Sequence, residues 1–152
     1  MDTTTRTASP SAGTPTGPQD RRRARCPAVT TAAGGFYLVM GGIHVGIVAA
    51  DPQIYRPFAD DALFGFVRSG WGDIFMAHPA VWGLQLALGE ISLGVLLLLG
   101  GAPARWGWLG IITFQVLLML FGWGFWLWSL PALAVLGWGA HHDWPRLQSS
   151  PG

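Results

Sequence analysis

The feature that most constrains this chain is its long stretches without a charged side chain. Residues 28–50 contain no Asp, Glu, Lys or Arg, residues 79–101 contain only Glu90, and residues 106–140 contain none. A helix of about 20 residues crosses the roughly 30 Å hydrocarbon core of a bilayer. Charged residues make up 11% of the chain, against roughly 25% in soluble domains. The sequence therefore predicts an all-α integral membrane protein.

The uncharged stretch at 106–140 is too long for a single crossing. A straight helix over its 35 residues would be about 52 Å long, so we expect two crossings joined by a tight bend. Gly122-Trp123-Gly124 and Ser129-Leu130-Pro131 both suit the bend, and the sequence does not choose between them. We therefore predict a four-helix membrane bundle with spans near residues 30–50, 79–100, 106–123 and 125–141.

Polar segments flank the predicted spans. Residues 1–27 are rich in Thr, Ser, Pro and Gly and end in a cluster of arginines, which predicts a disordered basic tail in the cytoplasm. Residues 143–152 are predicted as a short second tail, so that 28–142 form the four-span domain. A cleaved export signal over residues 1–50 is the alternative, but the apolar run is long for a signal and contains His44.

The loop between the first two spans has an amphipathic pattern of its own. Over residues 57–71, apolar side chains fall on one half of a helical wheel and charged or small side chains on the other. This pattern predicts a helix at the membrane interface on the outer side, with Phe58 and Phe66 facing the bundle or the membrane.

Arginine and tryptophan positions predict the orientation. All nine basic residues are arginines, and the N-terminal cluster, Arg105 and Arg146 share one side in the four-span arrangement, which is typical of cytoplasmic loops. The nine tryptophans fall near predicted interfaces, where this side chain is enriched. We expect a multi-pass protein of a bacterial inner (plasma) membrane, in contact with lipid, with both termini cytoplasmic.

Several function classes are disfavoured by what the chain contains. Its net charge is +1, which does not suggest a nucleic-acid partner. One cysteine, Cys26, provides neither a disulfide framework nor a metal-binding cluster. His141 and His142 are adjacent and do not share a helix face, so we expect no metal site there. No nucleotide-binding loop or hydrolase motif is present.

The ionisable residues inside the predicted spans are the candidate site. Glu90 is expected near the midplane, where a charged, unpaired carboxylate costs several kcal/mol, so it must be protonated, paired or hydrated. Gly83, Ala87 and Gly94 share its helix face and predict a close helix contact there. Because span one carries His44, we expect a contact between His44 and Glu90 that either fixes helix register or forms a proton relay or ligand site.

Two other polar residues are candidates for the same intramembrane site. Gln115 lies at the centre of span three and can both donate and accept hydrogen bonds. Arg68 lies on the outer loop and is long enough to reach an anionic group. Span one also has a second small-residue face, made of Gly35, Gly42 and Gly46, which predicts contact with a further helix.

The order of these features resembles the DoxX-like group of small four-helix bacterial membrane proteins over residues 28–142. The resemblance rests on the basic tail, the polar outer loop and three stretches: Gly-Gly-Ile-His-Val-Gly (41–46), Gly-Glu-Ile-Ser-Leu-Gly (89–94) and the aromatic segment 121–128. It implies a four-helix fold, and for some members a link to quinone-coupled sulfur oxidation or to membrane oxidoreductase complexes.

Three functions follow as hypotheses. The first is an accessory membrane subunit that docks a membrane or cytoplasmic protein partner, carries no cofactor and is not itself an enzyme. The second is a component of a quinone-linked oxidoreductase that uses the region around His44 and Glu90. The third is a protein for proton or small-molecule permeation.

Overall fold

A computed structural model describes residues 27–148 of the chain. In this range the chain is almost entirely helical and has no β-strand, which confirms the all-α prediction. Four long helices, α1, α3, α4 and α5, are joined by short helical pieces. Their bounds are α1 Ala28–Ala50, a 3-10 helix Pro52–Ala59, α2 Gly65–Gly70, a π-helical turn Trp71–Phe75, α3 Pro79–Leu99, α4 Gly101–Leu118, a 3-10 turn Met119–Phe121 and α5 Trp123–Gln148. The predicted tail before residue 27 and residues 149–152 lie outside the described residues.

Three of these helices are long and apolar enough to cross a membrane. They are α1, α3, and α4 together with the 3-10 turn that extends it to Phe121. The fourth long helix, α5, has 26 residues, but tryptophans, glycines and a polar C-terminal end interrupt its apolar side chains. The structure therefore supports a helical membrane protein with three helices that meet these requirements for a span.

The connection between α3 and α4 is shorter than the sequence predicts. A loop was expected before residue 106, yet α4 begins at Gly101, directly after Gly100. Both glycines have positive φ angles, 71° and 55°, a backbone region that side chains with a Cβ rarely enter. Two consecutive glycines thus reverse the chain without a loop.

The bend within the long uncharged stretch lies at Gly122, the first of the two predicted positions. Gly122 has a φ angle of 104° and separates the 3-10 turn from α5. A Cβ at this residue would collide with the backbone carbonyl of Asp61. The alternative at Ser129-Leu130-Pro131 is wrong, because Pro131 lies inside α5.

The four long helices pack in a ring, with α1 against α3, α3 against α4, α4 against α5, and α5 against α1. The closest approach is between α1 and α3, as the small residues of α3 predict. A Cβ added to Gly94 would lie 2.8 Å from the carbonyl oxygen of Gly34, and one added to Gly41 would lie 2.9 Å from that of Ala87. These glycines bring the two helices close enough for their buried polar side chains to meet.

The predicted amphipathic helix over residues 57–71 is wrong as a single element. The chain forms a 3-10 helix that ends at Ala59, then turns, and begins α2 only at Gly65. Phe58 packs against Tyr55 and Phe125 on the bundle side. Phe66 is 70% exposed and stacks on Phe64. The break is favoured by Pro57 inside the 3-10 helix and by the hydrogen bond from Leu63 N to Leu120 O, which ties the turn to the bundle.

The C-terminal tail predicted from residue 143 is helical as far as it is described. Helix α5 continues to Gln148, and both Asp143 and Leu147 are buried. The guanidinium of Arg105 donates a hydrogen bond of 2.8 Å to the carbonyl oxygen of Leu147. The end of α5 is thus fixed against the start of α4 and does not form a separate tail.

Candidate functional site

The two ionisable residues of the spans lie together between α1 and α3. Glu90 is 3% exposed and His44 is also buried, so both face the interior of the bundle. His44 Nε2 lies 3.6 Å from Glu90 Oε2, an ion-pair separation that is longer than a direct hydrogen bond. The close packing of α1 and α3 at Gly41 and Ala87, one turn from these residues, sets this distance.

The other imidazole nitrogen of His44 is bound by a residue that the sequence reasoning missed. Tyr55 lies in the 3-10 helix after α1, is fully buried, and places its hydroxyl 2.7 Å from His44 Nδ1. The two rings also stack, with centroids 5.7 Å apart and planes 18° apart. The result is a chain of three titratable groups, Tyr55, His44 and Glu90, which we call the buried triad.

Tyr55 is fixed by its surroundings as well as by His44. Its ring lies edge-on to those of Phe58 and Phe75, at 5.5 and 5.3 Å between centroids. The indole N–H of Trp71 donates a 2.9 Å hydrogen bond to the Tyr55 carbonyl oxygen. Burial raises the pKa of the Tyr55 hydroxyl, and the charge of Glu90 raises it further. Tyr55 therefore keeps its proton and is able to donate it in a hydrogen bond to His44.

The buried triad offers two places for an added proton, His44 and Glu90. With His44 neutral and protonated on Nε2, Tyr55 donates to Nδ1 and the Nε2 proton points toward the Glu90 carboxylate. One added proton gives either an imidazolium paired with the carboxylate, whose Nδ1–H then donates to the Tyr55 oxygen, or a neutral His44 beside a protonated Glu90. Glu90 Oε2 has no hydrogen-bond partner within the described residues, so no hydrogen bond there stabilises a negative charge on this oxygen.

Gln115 and Arg68, the other two candidates, are not part of this arrangement. Gln115 is buried, but its amide donates a 3.1 Å hydrogen bond to Ser129 Oγ and so joins α4 to α5. Arg68 is exposed and its guanidinium lies 3.4 Å from the Ala62 carbonyl oxygen. The break in the predicted amphipathic helix leaves Arg68 on the outer surface, away from the buried triad.

An apolar groove of about 400 Å³ lies between α1 and α5. Phe36 and Tyr37 line it from α1, Trp128 from α5, and Gln115 and Trp108 from α4. Neither His44 nor Glu90 is among its lining residues. The Trp108 indole nitrogen is buried and has no hydrogen-bond partner within residues 27–148. This groove is therefore a feature separate from the buried triad.

A second buried polar contact joins the two ends of the described chain. Asp143 Oδ2 accepts hydrogen bonds from the backbone amide and the hydroxyl of Thr30, and its other oxygen lies 2.9 Å from His142 Nδ1. Sequence reasoning placed Asp143 in a tail, because a single polar residue after a span gives no periodic signal. Arg146 Nη1 also lies 3.7 Å from Asp143.

Within residues 27–148, no group of three His, Cys, Asp or Glu side chains is arranged to hold a metal ion. Comparison of the chain with protein-family models, with curated proteins and with solved structures finds no match.

Proposed function

We propose that this chain is a four-span membrane protein whose His44–Glu90 pair takes up and releases one proton inside the bilayer. The observation that carries the proposal is the environment of Glu90. Its carboxyl group is almost fully buried; among residues 27–148 one of its oxygens has no hydrogen-bond partner, and His44 is the basic group that faces it, at 3.6 Å. A buried ion pair often contributes no net stability compared with apolar side chains of similar volume, so stabilisation of the fold does not by itself account for this pair.

The fourth crossing is supported by the geometry of α5. Its 26 residues extend about 39 Å, enough for the hydrocarbon core and one interface. Trp123, the first residue of α5, is exposed, as is typical of a tryptophan that anchors a helix at a membrane surface. With α5 as a span, both termini and Arg105 lie on the cytoplasmic side of a plasma membrane, and the segment between α1 and α3 lies outside.

Infrared spectroscopy of the purified full chain in lipid bilayers tests the proton-binding site. A titration of the wild type above pH 5, where Asp143 stays ionised, should reveal a buried carboxyl group whose C=O band changes with pH, and Glu90→Gln should remove that band while the helical amide signal is kept. Asp60→Asn is the matched control, because Asp60 is exposed on the outer segment. A spectrum that Glu90→Gln leaves unchanged at every pH would overturn the proposal.

Partner docking is a second candidate function, and one observation favours it. A Cβ added to Gly35, Gly42 or Gly46 of α1 meets no atom within 4 Å, so this small-residue face is unoccupied within the described chain. Small residues at such spacing let another membrane helix approach closely. The accessory subunit proposed from the sequence would use this face, with the buried triad on the opposite side of α1.

Site-specific photo-crosslinking in native membranes tests the docking candidate. A photoreactive side chain at Gly42 should give one defined cross-linked species that the additional change Gly46→Leu removes, while a probe at Leu127, exposed on α5 and away from this face, gives only diffuse products. Equal, diffuse products from both positions would argue that lipid alone covers this face.

The quinone-linked role implied by the DoxX-like resemblance stays a third proposal. Its support is that the stretches 41–46 and 89–94, which carry the resemblance, contain His44 and Glu90 and meet where Gly41 approaches Ile91. A quinone in the α1–α5 groove would contact Tyr37 and Gln115 and not the buried triad. A quinone-binding titration with Gln115→Leu and Glu90→Gln separates these positions, because only the residue at the binding site should change the affinity.

A further inference from the structure

We infer that residues 52–75 form a cap that must open for the buried triad to exchange its proton with the outside, and that Trp71 is the latch of this cap. The inference rests on the proposed function of the His44–Glu90 pair and names how access to it is controlled. It assigns to Trp71 a positioning role, because Trp71 acts through Tyr55 and not on the proton-binding groups themselves.

Tyr55, the outermost member of the triad, belongs to the cap and lies beneath its aromatic side chains. Tyr55 has no exposed surface, although it lies outside the apolar span of α1. The rings of Phe58 and Phe75 cover it, and a Cβ added to Gly83 of α3 would lie 2.8 Å from its ring. Water therefore does not reach the Tyr55 hydroxyl in this conformation.

The opposite direction along the helices is mostly apolar. Toward the other end of the bundle, the buried positions of α1 continue as Gly41, Tyr37, Gly34 and Thr30, and those of α3 as Gly94 and Leu97. The polar side chains among them are Tyr37 and Thr30, which are two turns of helix apart, and the Thr30 hydroxyl already donates to Asp143. Tyr55, by contrast, contacts His44 directly, so the cap side is the shorter way for a proton to leave.

Trp71 takes part in several of the contacts that hold the cap shut. Trp71 connects it internally through the 2.9 Å hydrogen bond to the Tyr55 carbonyl and through a stack on Phe75 at 3.8 Å between centroids. Trp71 also packs edge-on against Phe121 of the bundle, and Leu63 N donates to Leu120 O. The same ring therefore touches both the Tyr55 segment and the bundle.

The backbone of the cap is weaker than that of the bundle. It consists of a 3-10 helix, one short α-helix and a π-helical turn. A 3-10 helix has poorer hydrogen-bond geometry than an α-helix, and π-helical turns occur as local irregularities, often at functional sites. Gly65, Gly70 and Gly72 have open space around them, so rotation there meets no packing. Segments with such features open at lower free energy than the core.

Hydrogen–deuterium exchange on the purified full chain in bilayers tests the cap. Two rates are compared: deuteration of the Glu90 carboxyl, followed by its infrared C=O band, and deuteration of the backbone amides of the cap, followed by mass spectrometry. In the wild type the Glu90 carboxyl should deuterate no faster than the cap opens. Trp71→Phe keeps an aromatic ring and loses the N–H, and should accelerate both rates about fivefold, the effect of one lost hydrogen bond. Trp123→Phe, at an exposed position, should change neither rate.

The outcomes separate the two proposals. Deuteration of Glu90 within the mixing time while the cap amides stay protected would overturn the cap in the wild type, with no need for a variant. Faster cap exchange in Trp71→Phe with an unchanged Glu90 rate would also overturn it. The absence of any carboxyl band that depends on Glu90 would overturn the proposed function and the cap with it.

Discussion

Asp143 of α5 accepts two hydrogen bonds from Thr30 of α1, one from the backbone amide at 3.1 Å and one from the hydroxyl at 2.7 Å. Thr30 lies in the first turn of α1, where backbone N–H groups lack partners within the helix and where the positive end of the helix dipole lies. A carboxylate from a distant part of the chain thus caps this helix. Both residues are fully buried, so the contact joins the first and last helices away from water.

Removing the carboxylate should destabilise the fold measurably. Asp143→Ala leaves the Thr30 amide and hydroxyl buried without their acceptor, and we expect a loss of about 1.5–3 kcal/mol in the free energy of unfolding. Asp60→Ala, which removes an exposed carboxylate, should change stability by less than about 0.5 kcal/mol. Unfolding in mixed micelles of increasing denaturing detergent measures both. Equal stability of the two variants would show that Asp143 does not cap α1.

The same contact predicts a dependence on acid. Burial by itself would raise the pKa of Asp143, but the hydrogen bonds from Thr30 and His142 outweigh it and hold the pKa below its ordinary value of 3.8. A group with a lowered pKa in the folded state stabilises the fold above its ordinary pKa, and this stabilisation is lost as pH falls through the folded value.

The stability difference between wild type and Asp143→Asn should accordingly be constant above about pH 5 and shrink toward zero only below the ordinary pKa near 3.9. Detergent-induced unfolding at a series of pH values measures this difference. A difference that already shrinks between pH 5 and 7 would contradict the assignment to the carboxylate.

The contact between α1 and α3 should be sensitive to one methyl group. In Gly94→Ala the new Cβ would lie 2.8 Å from the Gly34 carbonyl oxygen, and separating the helices should cost about 1–3 kcal/mol. Gly42→Ala on the open face of α1 is the matched control, and should be neutral or stabilising by up to about 1 kcal/mol, because alanine favours helix. Measurement of the free energy of unfolding of both variants tests this prediction. A stable Gly94→Ala would mean that α1 and α3 are not in close contact.

The bend before α5 makes a further prediction. Gly122 combines a φ angle of 104° with a contact to the Asp61 backbone, so Gly122→Ala should cost about 1–3 kcal/mol through strain alone. Gly124→Ala has open space around it and should fold normally. Thermal unfolding followed by circular dichroism compares the two variants. If both unfold at the wild-type temperature, the bend does not lie at Gly122.

The sequence was informative about the long helices and the faces they present. Uncharged stretches place α1, α3 and α4, and the small residues beside Glu90 predict which face of α3 meets α1. Tyr55 could not be found in this way, because the 3-10 helix that carries it has no fixed period of apolar residues. Asp143 was missed for a related reason: its partner, Thr30, is 113 residues away, and nothing local marks the contact.

The amphipathic pattern at 57–71 failed for a physical reason as well. Its apolar side chains lie in two different environments: Phe58 covers Tyr55 on the bundle side, while Phe66 is exposed. A helical wheel assumes one continuous helix and assigns all of them to one face. Helix propensity is a weak determinant where tertiary contacts, such as the one between Leu63 and Leu120, compete with it.

The central claim is that His44 and Glu90 act as one proton-binding unit, and the titration of His44 tests it most directly. Nitrogen-15 NMR of the histidine-labelled full chain in bilayers reports the protonation of each imidazole nitrogen as pH changes. His78, exposed at the start of α3, provides the internal control. If the pair is coupled, Glu90→Gln shifts the His44 titration by at least about one pH unit, because it removes the carboxyl group that faces the imidazole. Identical His44 titrations in the wild type and in Glu90→Gln would contradict the account.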